Sequence, residues 1–187
     1  MEDSPERKSL RSFLLKKRDN TSFDFMKIAS KKIQNRLKKI NVFRDAQKIG
    51  VYYPIGSEIL TQDIIQELLS NGKDVFLPKV MEKNIEFRKI VDFSSLEKGS
   101  FDIMEPKDDC QIDNTLDVVL VPTVGISPIG VRLGYGQGFY DRYLAEHKVI
   151  TISLTFEKQI IKNIPKSEHD IIIDWIVTEE RILDTQR

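Results

Sequence analysis

A glycine-rich segment constrains this chain more than any other feature. It reads RLGYGQGFYDR over residues 132–142 and places glycine at three alternate positions. Glycine adopts positive φ angles without steric cost and lets other groups approach the main chain closely. An apolar run, Val118 to Val121, precedes the segment, and a helical pattern follows it. The pattern therefore predicts a buried strand, a loop folded around something small, and a helix start.

The charged residues of this segment suggest a phosphate ligand. Inward N–H groups at a helix start form an anion site, and Arg132 and Arg142 would pair with phosphate oxygens. Asp141 would be repelled by a polyphosphate unless a cation lay between them, and Mg²⁺ is bound through one or two carboxylates plus substrate phosphates. The alternative is an ordinary tight turn with surface ion pairs worth little. The motifs GxxxxGK[ST] and GxGxxG are both absent from the segment.

The composition limits the class of protein. The 187 residues are 40% hydrophobic and 31% charged, with a formal net charge of zero. These values predict one globular domain over residues 1–187 and argue against a dedicated nucleic-acid binder. Residues 1–40 nevertheless carry 12 Lys or Arg and 5 Asp or Glu. These basic residues could face a polyanionic ligand, but we favour the solvated side of two helices. KKIQNRLKK could bind nucleic acid, but it has no interleaved aromatic residues.

The termini and cysteine usage suggest a cellular location. Cys110 is the only cysteine, so an intrachain disulfide is impossible, which suits a reducing compartment. The first ten residues are charged and lack the apolar run of a signal peptide. No apolar stretch approaches the roughly 18 residues of a membrane span. We therefore expect a cytoplasmic protein with no membrane partner.

Strand and helix patterns alternate along the chain. Residues 48–53 and 74–77 read as strands around a helix over 62–71, which is a βαβ unit with a parallel strand pair. We expect Thr61 to cap that helix and Pro78 to end the second strand. Helices are also predicted over 4–18, with Ser4 as N-cap, and over 22–40, with the apolar residues on one face. Strands are predicted over 85–90, 116–121 and 149–154. The fold class is α/β, a mostly parallel sheet with helices on both faces.

Two arginines on the first helix form a second candidate anion site. Arg7 and Arg11 are four residues apart and share one face. No acidic residue stands at the right spacing between them. The pair therefore needs an external anion, unless both side chains are simply solvated.

Several segments together resemble the 5-formyltetrahydrofolate cyclo-ligase family. The glycine-rich segment and the preceding LVPTVGISPIG resemble the family's signature. RKSLR places Arg7 and Arg11 on the family's KxxxR pattern, with Lys8 adjacent. YPIGSEILT, GSFDIMEP and NIPKSEHDIIIDWIVTEE match further family segments in the right order. The resemblance runs from Arg7 to Glu179, nearly the whole chain.

This resemblance implies a fold and a reaction. The fold would be a single-domain three-layer sandwich similar to the sugar-phosphate isomerase and CoA-transferase folds. The reaction would be the ATP-dependent cyclisation of 5-formyltetrahydrofolate to 5,10-methenyltetrahydrofolate, with Mg²⁺ as cofactor and release of ADP and phosphate. Phosphorylation of the formyl oxygen would make it a leaving group for attack by N10. The implied partners are these small molecules, and we expect a monomer.

The resemblance also implies roles for individual residues. Arg132 and Asp141 would act in catalysis, and Asp141 and Asp174 would hold Mg²⁺. The residues implied in ATP binding are Arg7, Lys8, Arg11, Arg132, Gly134, Tyr135, Gly136, Gln137, Gly138, Phe139 and Tyr140. Those implied in folate binding are Tyr53, Glu58, Tyr135, Gly136, Gln137, Gly138 and Phe139. A carboxylate such as Glu58 can accept two hydrogen bonds from the amino and ring N–H groups of a pterin.

Other positions leave alternatives open. Phe101 lines the folate site or belongs to the core, and His169 is a catalytic base or, as we favour, structural. Asp102 replaces the family's usual glycine, and aspartate tolerates unusual backbone angles. Ser127 is assigned no role. Tyr53 has core packing as its alternative, and Glu58 an ordinary place ahead of a helix.

Two other functions also stay open. One is a related ATP-dependent enzyme that acts on another formyl, amino or modified-pterin substrate. The other is a non-catalytic module that binds folate or nucleic acid.

Overall fold

The computed structural model describes residues 4–99, 102–167 and 170–186. Its helices are α1 Pro5–Asp19, α2 Phe23–Leu37, α3 Asn41–Asp45, α4 Gln62–Ser70 and α5 Phe139–Glu146. The strands of its main sheet are β1 Lys48–Gly50, β2 Asp74–Met81, β3 Asn84–Ile90, β6 Val118–Val121, β9 Ile150–Leu154, β10 Trp175–Val177 and β11 Ile182–Asp184. Two small hairpins are formed by β4 Leu96–Lys98 with β5 Met104–Pro106, and by β7 Gly125–Ile126 with β8 Arg132–Leu133. Short 3₁₀ turns span Phe93–Ser95 and Glu157–Gln159.

The main sheet has the strand order β11-β10-β9-β6-β1-β2-β3. The strands from β10 to β2 run parallel, and only the two outer strands are antiparallel. The central strand β6 is apolar throughout and all four of its residues are buried, as expected of a parallel strand covered on both faces. The predicted mostly parallel sheet and its β1–α4–β2 unit are therefore confirmed.

Alternate residues of β6 pack against opposite layers. Val118 and Leu120 belong to a core that includes apolar residues of α2, α3 and α4. Val119 and Val121 belong to a second core, on the other face, with Tyr143 of α5. The period-2 alternation of a strand thus joins three layers into a single α/β domain.

Helix α1 covers the carboxyl ends of the parallel strands. Its N-cap Ser4 accepts a hydrogen bond from Arg7 N at 3.2 Å, as the sequence pattern predicts. Leu14 of α1 is buried against Val131 and Leu133 of the hairpin that follows β6. This hairpin was not predicted, because strands of two residues carry no readable periodicity. Of the described helices, none has the length and apolar character needed to cross a membrane.

Pro78 does not end β2, contrary to the sequence prediction. Strand β2 continues to Met81, and Pro78 pairs with Phe87 of β3. The Phe76 carbonyl accepts a hydrogen bond from Val51 N, on the side of β2 that faces β1. Pro78 is two residues further along the strand, so its backbone groups point to that same side. The pairing with β1 stops at Phe76, so Pro78 faces a side without a neighbouring strand, where a missing N–H is tolerated.

Thr61 does not cap α4, although it occupies the N-cap position. Its hydroxyl is fully buried and donates instead to the carbonyl of Tyr52 at 2.6 Å. This bond ties the start of α4 to the chain that leaves β1. The predicted cap residue therefore stabilises the loop that carries Glu58.

Candidate active site

The glycine loop, residues 134–138, lies between β8 and α5 with arginine guanidinium groups against its backbone. Gly136 and Gly138 have φ angles of +93° and +68°, which favour glycine. An added Cβ atom would lie 2.6 Å from Arg132 Nη1 at Gly134, 3.2 Å from Arg11 Cζ at Gly136 and 2.8 Å from Arg142 Nη1 at Gly138. Larger residues would displace these cations, so the glycines and arginines form one structural unit.

The two residues predicted to be catalytic contact each other. Arg132 Nη2 donates to Asp141 Oδ1 at 2.8 Å, with side-chain exposures of 4% and 21%. Arg132 Nη1 also donates to the carbonyl of Pro122 at 3.4 Å, directly after β6. The ion pair therefore connects the carboxyl end of the central strand with the first turn of α5.

Two buried polar atoms beside this ion pair have no hydrogen-bond partner within the part of the chain that the structure describes. They are Arg132 Nε and the hydroxyl of Tyr140, whose ring centre lies 5.9 Å from Arg132 Cζ. Burial raises the pKa of Tyr140, and the negative charge of Glu58 adds to this while Arg132 opposes it. Buried polar groups in native proteins are nearly always paired, so these atoms are candidates for contact with a ligand.

Glu58 lies at the same edge of the sheet and is 4% exposed. Its Oε2 accepts a hydrogen bond from Ile55 N at 2.9 Å, and its Oε1 accepts one from the Tyr135 hydroxyl at 2.7 Å. Burial raises the pKa of the Glu58 carboxyl, although both hydrogen bonds and the charge of Arg18 oppose the shift. The loop after β1 and the glycine loop thus meet at this carboxylate.

Arg18 also reaches this cluster, which the sequence reasoning missed. It is 3% exposed, and its Nη2 donates to the Tyr135 hydroxyl at 2.7 Å while its Nε donates to Ser57 Oγ at 2.9 Å. A signal was available, because Arg18 follows Arg11 by seven residues. That spacing is two helical turns and puts both side chains on the same face of α1.

The first two arginines of α1 have different partners. Arg7 Nη1 and Nη2 donate to the two carboxylate oxygens of Asp170 at 2.8 and 3.0 Å, and Nη1 also donates to the carbonyl of Pro165 at 2.5 Å. The expectation of an external anion is therefore wrong for Arg7, because an acid 163 residues away supplies the charge. Arg11 Nε donates to the carbonyl of Gly134 at 2.6 Å, which joins α1 to the glycine loop.

Asp174 lies at the amino end of the parallel strands. Its Oδ2 accepts hydrogen bonds from the backbone N and the Oγ1 of Thr151, both at 2.9 Å. Its Oδ1 accepts one from Gln186 Nε2 at 2.8 Å. Thr151 is the second residue of β9, so Asp174 ties the start of that strand to the carboxyl-terminal segment.

The structure does not bring Asp174 and Asp141 together, which corrects the prediction of a shared Mg²⁺ site. Val118 pairs with Ile150 and Val121 with Ser153, so Pro122, the residue after β6, lies at the opposite end of the strands from Thr151. Asp141 is linked to Pro122 through Arg132. The sequence pattern does not reveal that Asp174 and Asp141 are far apart, because their separation depends on how β10 is aligned with β9.

The remaining predicted residues are distributed around the loop. Lys8, Gly136 and Gln137 are exposed, and Phe139 is partly buried with Arg142 Cζ 5.4 Å from its ring centre. Tyr53 is partly buried and packs on the core beneath α2, α3 and α4. The ligand roles of these residues stay predictions.

Four other positions named from the sequence differ in outcome. Asp102 has a φ angle of +58°, a left-handed backbone angle that aspartate tolerates better than most residues. Ser127 Oγ accepts a hydrogen bond from Val131 N at 3.1 Å and closes the β7–β8 turn. Phe101 and His169 lie outside the described residues.

Comparison with known proteins identifies the family. The model of the 5-formyltetrahydrofolate cyclo-ligase family matches residues 3–179. The chain belongs to the 5-formyltetrahydrofolate cyclo-ligase family. Among its cyclo-ligase relatives, a probable 5-formyltetrahydrofolate cyclo-ligase of Caenorhabditis elegans is 31% identical over 154 residues, which are 73% of this chain and 75% of the relative. The cyclo-ligase of Haemophilus influenzae is 31% identical over 137 residues, covering 68% and 73% of the two chains.

Solved structures agree with this cyclo-ligase assignment. The NMR structure of Aquifex aeolicus 5,10-methenyltetrahydrofolate synthetase matches with a TM-score of 0.88 and 30% identity, over 97% of this chain and 93% of that one. The synthetase of Mycoplasma pneumoniae matches with a TM-score of 0.76 and 23% identity, over 93% and 99% of the two chains, and supports the fold. The chain is therefore a member of a ligase family with a family-typical fold.

Proposed function

We propose that this cyclo-ligase converts 5-formyltetrahydrofolate to 5,10-methenyltetrahydrofolate with consumption of ATP and release of ADP and phosphate. One observation carries the proposal: a glycine loop lined by guanidinium groups and a buried carboxylate meet at one edge of the sheet. The first suits the phosphates of a nucleotide. The second suits the N–H donors of a pterin.

The phosphate site would be the glycine loop with its arginines. Arg11 donates to the carbonyl of Gly134, and Arg132 packs beside the same glycine. Because their guanidinium groups are ordered by these contacts, binding a phosphate requires little further loss of side-chain freedom. Residues 134–138 would add backbone N–H donors at the start of α5.

The pterin site would be built around Glu58, with Tyr53 and Phe139 as flat neighbours for the ring. A carboxylate at 4% exposure is costly to keep ionised, even with the hydrogen bonds from Ile55 N and the Tyr135 hydroxyl. Two hydrogen bonds from the amino and ring N–H groups of the substrate would stabilise its charge. Glu58 would thereby set the orientation in which the formyl group meets the phosphate site.

The chemistry then follows from alignment and charge. The formyl oxygen attacks the γ-phosphorus of ATP and ADP leaves, which turns a poor leaving group into a good one. N10 of the same folate attacks the formyl carbon, gives up its proton, and the carbon–oxygen bond breaks to release phosphate. Arg132 would stabilise the charge on the transferred group, and the Tyr140 hydroxyl beside it would donate a hydrogen bond. The protein needs no covalent nucleophile for these steps.

A magnesium ion fits this site through one carboxylate. Asp141 is the partly exposed acid beside the glycine loop, and Mg²⁺ needs only one or two carboxylates when substrate phosphates complete its shell. Within residues 4–99, 102–167 and 170–186, no group of three or more acidic, His or Cys side chains could hold a metal. When bound with ATP, Mg²⁺ would neutralise phosphate charge. Asp174 is not part of this proposal.

Turnover is the test of the proposed function. The protein is mixed with 5-formyltetrahydrofolate and MgATP, and the near-ultraviolet absorbance of methenyltetrahydrofolate is followed. We expect a rise that requires both ATP and metal. No rise while ATP still binds would contradict the folate assignment and favour another formyl, amino or modified-pterin substrate. No rise and no ATP binding would favour a binding module instead.

Two further expectations accompany this function. We infer from the single cysteine that the enzyme works in a reducing compartment such as the cytoplasm, and we expect it to work as a monomer. Sedimentation equilibrium checks the second, and a dimer at micromolar concentration would contradict it.

A further inference from the structure

Glu58 is covered by a tyrosine of the glycine loop. At 4% exposure, its carboxylate is closed to solvent. Both of its oxygens already accept hydrogen bonds, one from Ile55 N and one from the Tyr135 hydroxyl at 2.7 Å. The first donor is main chain and fixed by the loop, whereas the second is a half-buried side chain. A ligand that uses Glu58 must therefore displace Tyr135.

Arg18 holds this tyrosine in place. Its Nη2 donates to the Tyr135 hydroxyl oxygen at 2.7 Å, and its Cζ lies 5.5 Å from the centre of the Tyr135 ring. Its Nε is fixed by Ser57 Oγ at 2.9 Å. A hydroxyl that accepts from a cation becomes a stronger donor, so Arg18 strengthens the bond from Tyr135 to Glu58. The three side chains form one hydrogen-bonded chain.

The Tyr135 hydroxyl has the same hydrogen-bonding character as one edge of a pterin. It accepts a hydrogen bond from Arg18 and donates one to Glu58. A pterin carries a ring carbonyl, which accepts, next to a ring N–H, which donates. Both ligand atoms could therefore replace the single hydroxyl, with the carbonyl on Arg18 and the N–H on Glu58.

We propose that Tyr135 is a gate that occupies the pterin site in the substrate-free enzyme, and that Arg18 binds the ring carbonyl of the pterin once the gate opens. The proposal rests on the proposed function, because that function assigns Glu58 to the pterin. Opening is feasible because Tyr135 stands between Gly134 and Gly136, and Gly136 already has a φ angle of +93°. Arg18 thus holds Tyr135 over Glu58 when the gate is closed, and selects ligands with a ring carbonyl when the gate is open.

Substitutions at Tyr135 and at Arg18, together with two ligands, test the proposal. Binding is measured by calorimetry without ATP, using 5-formyltetrahydrofolate and an analogue in which an amino group replaces the pterin's 4-carbonyl. Tyr135→Phe removes the hydroxyl and keeps the ring. The substitution removes the charge-assisted hydrogen bond that holds Tyr135 over Glu58. We therefore expect this variant to bind 5-formyltetrahydrofolate about tenfold more tightly. Tyr143→Phe is the matched control, since its hydroxyl has no hydrogen-bond partner among the described residues, and we expect it to be unchanged.

Arg18→Met tests the specificity. The wild type should prefer the carbonyl ligand over the amino analogue, because an amino group cannot accept from Arg18 and the adjoining ring nitrogen of the analogue carries no N–H for Glu58. We expect Arg18→Met to reduce that preference by about tenfold. If the role of Arg18 were purely structural, Arg18→Met would weaken the binding of both ligands equally and leave the ratio of their affinities unchanged. Arg18→Lys, which keeps the charge, should restore part of the preference.

The outcomes separate this proposal from the proposed function. Unchanged or weaker folate binding by Tyr135→Phe overturns the gate, and an unchanged ligand ratio in Arg18→Met overturns the specificity role. If Arg18→Met does not fold, the ratio in Arg18→Lys decides. If the wild type converts 5-formyltetrahydrofolate but the variants do not show the expected changes in binding, the proposed function still stands. A wild type that neither binds nor converts 5-formyltetrahydrofolate overturns both.

Discussion

Arg132 Nη2 lies 2.8 Å from Asp141 Oδ1, so the arginine before the glycine loop is paired with the acid after it. The loop of residues 134–138 is thereby closed at its base by an ion pair that is mostly shielded from water. The cations proposed to bind phosphate and the proposed Mg²⁺ ligand are held in one unit. This arrangement predicts that the two side chains depend on each other for both stability and activity.

Asp141→Asn should reduce kcat by about 100-fold or more, because it removes the carboxylate proposed to hold Mg²⁺ beside the phosphates. It should also destabilise the fold, since Arg132 would remain buried without a counter-charge. Activity is measured well below the melting temperature, with circular dichroism to verify folding. Glu146→Gln, an exposed change on the same helix, is the matched control. Equal kcat in Asp141→Asn and Glu146→Gln would remove Asp141 from the mechanism.

Asp174→Asn should behave differently. Its carboxylate accepts from Thr151 and Gln186 at the other end of the strands, so we expect a loss of about 1–3 kcal/mol in unfolding free energy. The Mg²⁺ concentration for half-maximal activity should stay within about twofold of wild type. Urea denaturation and a Mg²⁺ titration of turnover check the two parts. A large rise in the Mg²⁺ requirement would restore Asp174 as a metal ligand.

Asp170→Asn should destabilise the protein strongly. Arg7 and Asp170 have side-chain exposures of 9% and 7% and are joined by two hydrogen bonds. Removing one partner of a buried ion pair is strongly destabilising, at about 3–5 kcal/mol, because the remaining charge loses a counter-charge that water cannot replace. Urea denaturation measures the loss, with the exposed Asp109→Asn as control. A loss below about 1 kcal/mol would mean that the pair is not formed in solution.

Glu58→Gln should change how stability depends on pH. Burial raises the folded-state pKa of Glu58 above its ordinary value of 4.5, so the folded protein holds a proton that the unfolded chain releases. Wild-type stability therefore loses a contribution as pH rises from about 4.5 through the folded-state pKa. Relative to wild type, the variant should become more stable across that window.

Paired urea titrations between pH 4.5 and 7.5 check this, since other acids contribute equally to both proteins. A difference in unfolding free energy that stays constant with pH, or that moves in favour of wild type, would contradict the burial of Glu58. The same variant should also lose folate affinity, because a neutral amide accepts only through its single oxygen.

The sequence predicted the architecture because its strongest signals are local. The apolar run of β6, the period of α2 and the Ser4 cap each depend on neighbouring residues. The prediction that β2 ends at Pro78 is wrong, because a proline is tolerated there only as a result of where β1 stops, which is a property of the sheet.

The site was predicted in part, for a related reason. The glycine loop could be predicted because its three alternate glycines stand between an apolar run and a helical pattern, all of which are local signals. The partners of Arg7 and Asp174 could not be read, because they come from segments 163 and 23 residues away. The spacing from Arg11 puts Arg18 on the same face of α1, but the sequence does not show that Tyr135, 117 residues away, lies opposite that face.

The fate of the formyl oxygen tests the account most directly. 5-Formyltetrahydrofolate labelled with ¹⁸O in the formyl group is converted with unlabelled MgATP, and the released phosphate is analysed by mass spectrometry. If the formyl oxygen is phosphorylated, one ¹⁸O atom should appear in each phosphate formed. Label in water and unlabelled phosphate would show that ATP is hydrolysed separately, and would contradict the mechanism proposed for Arg132 and the glycine loop.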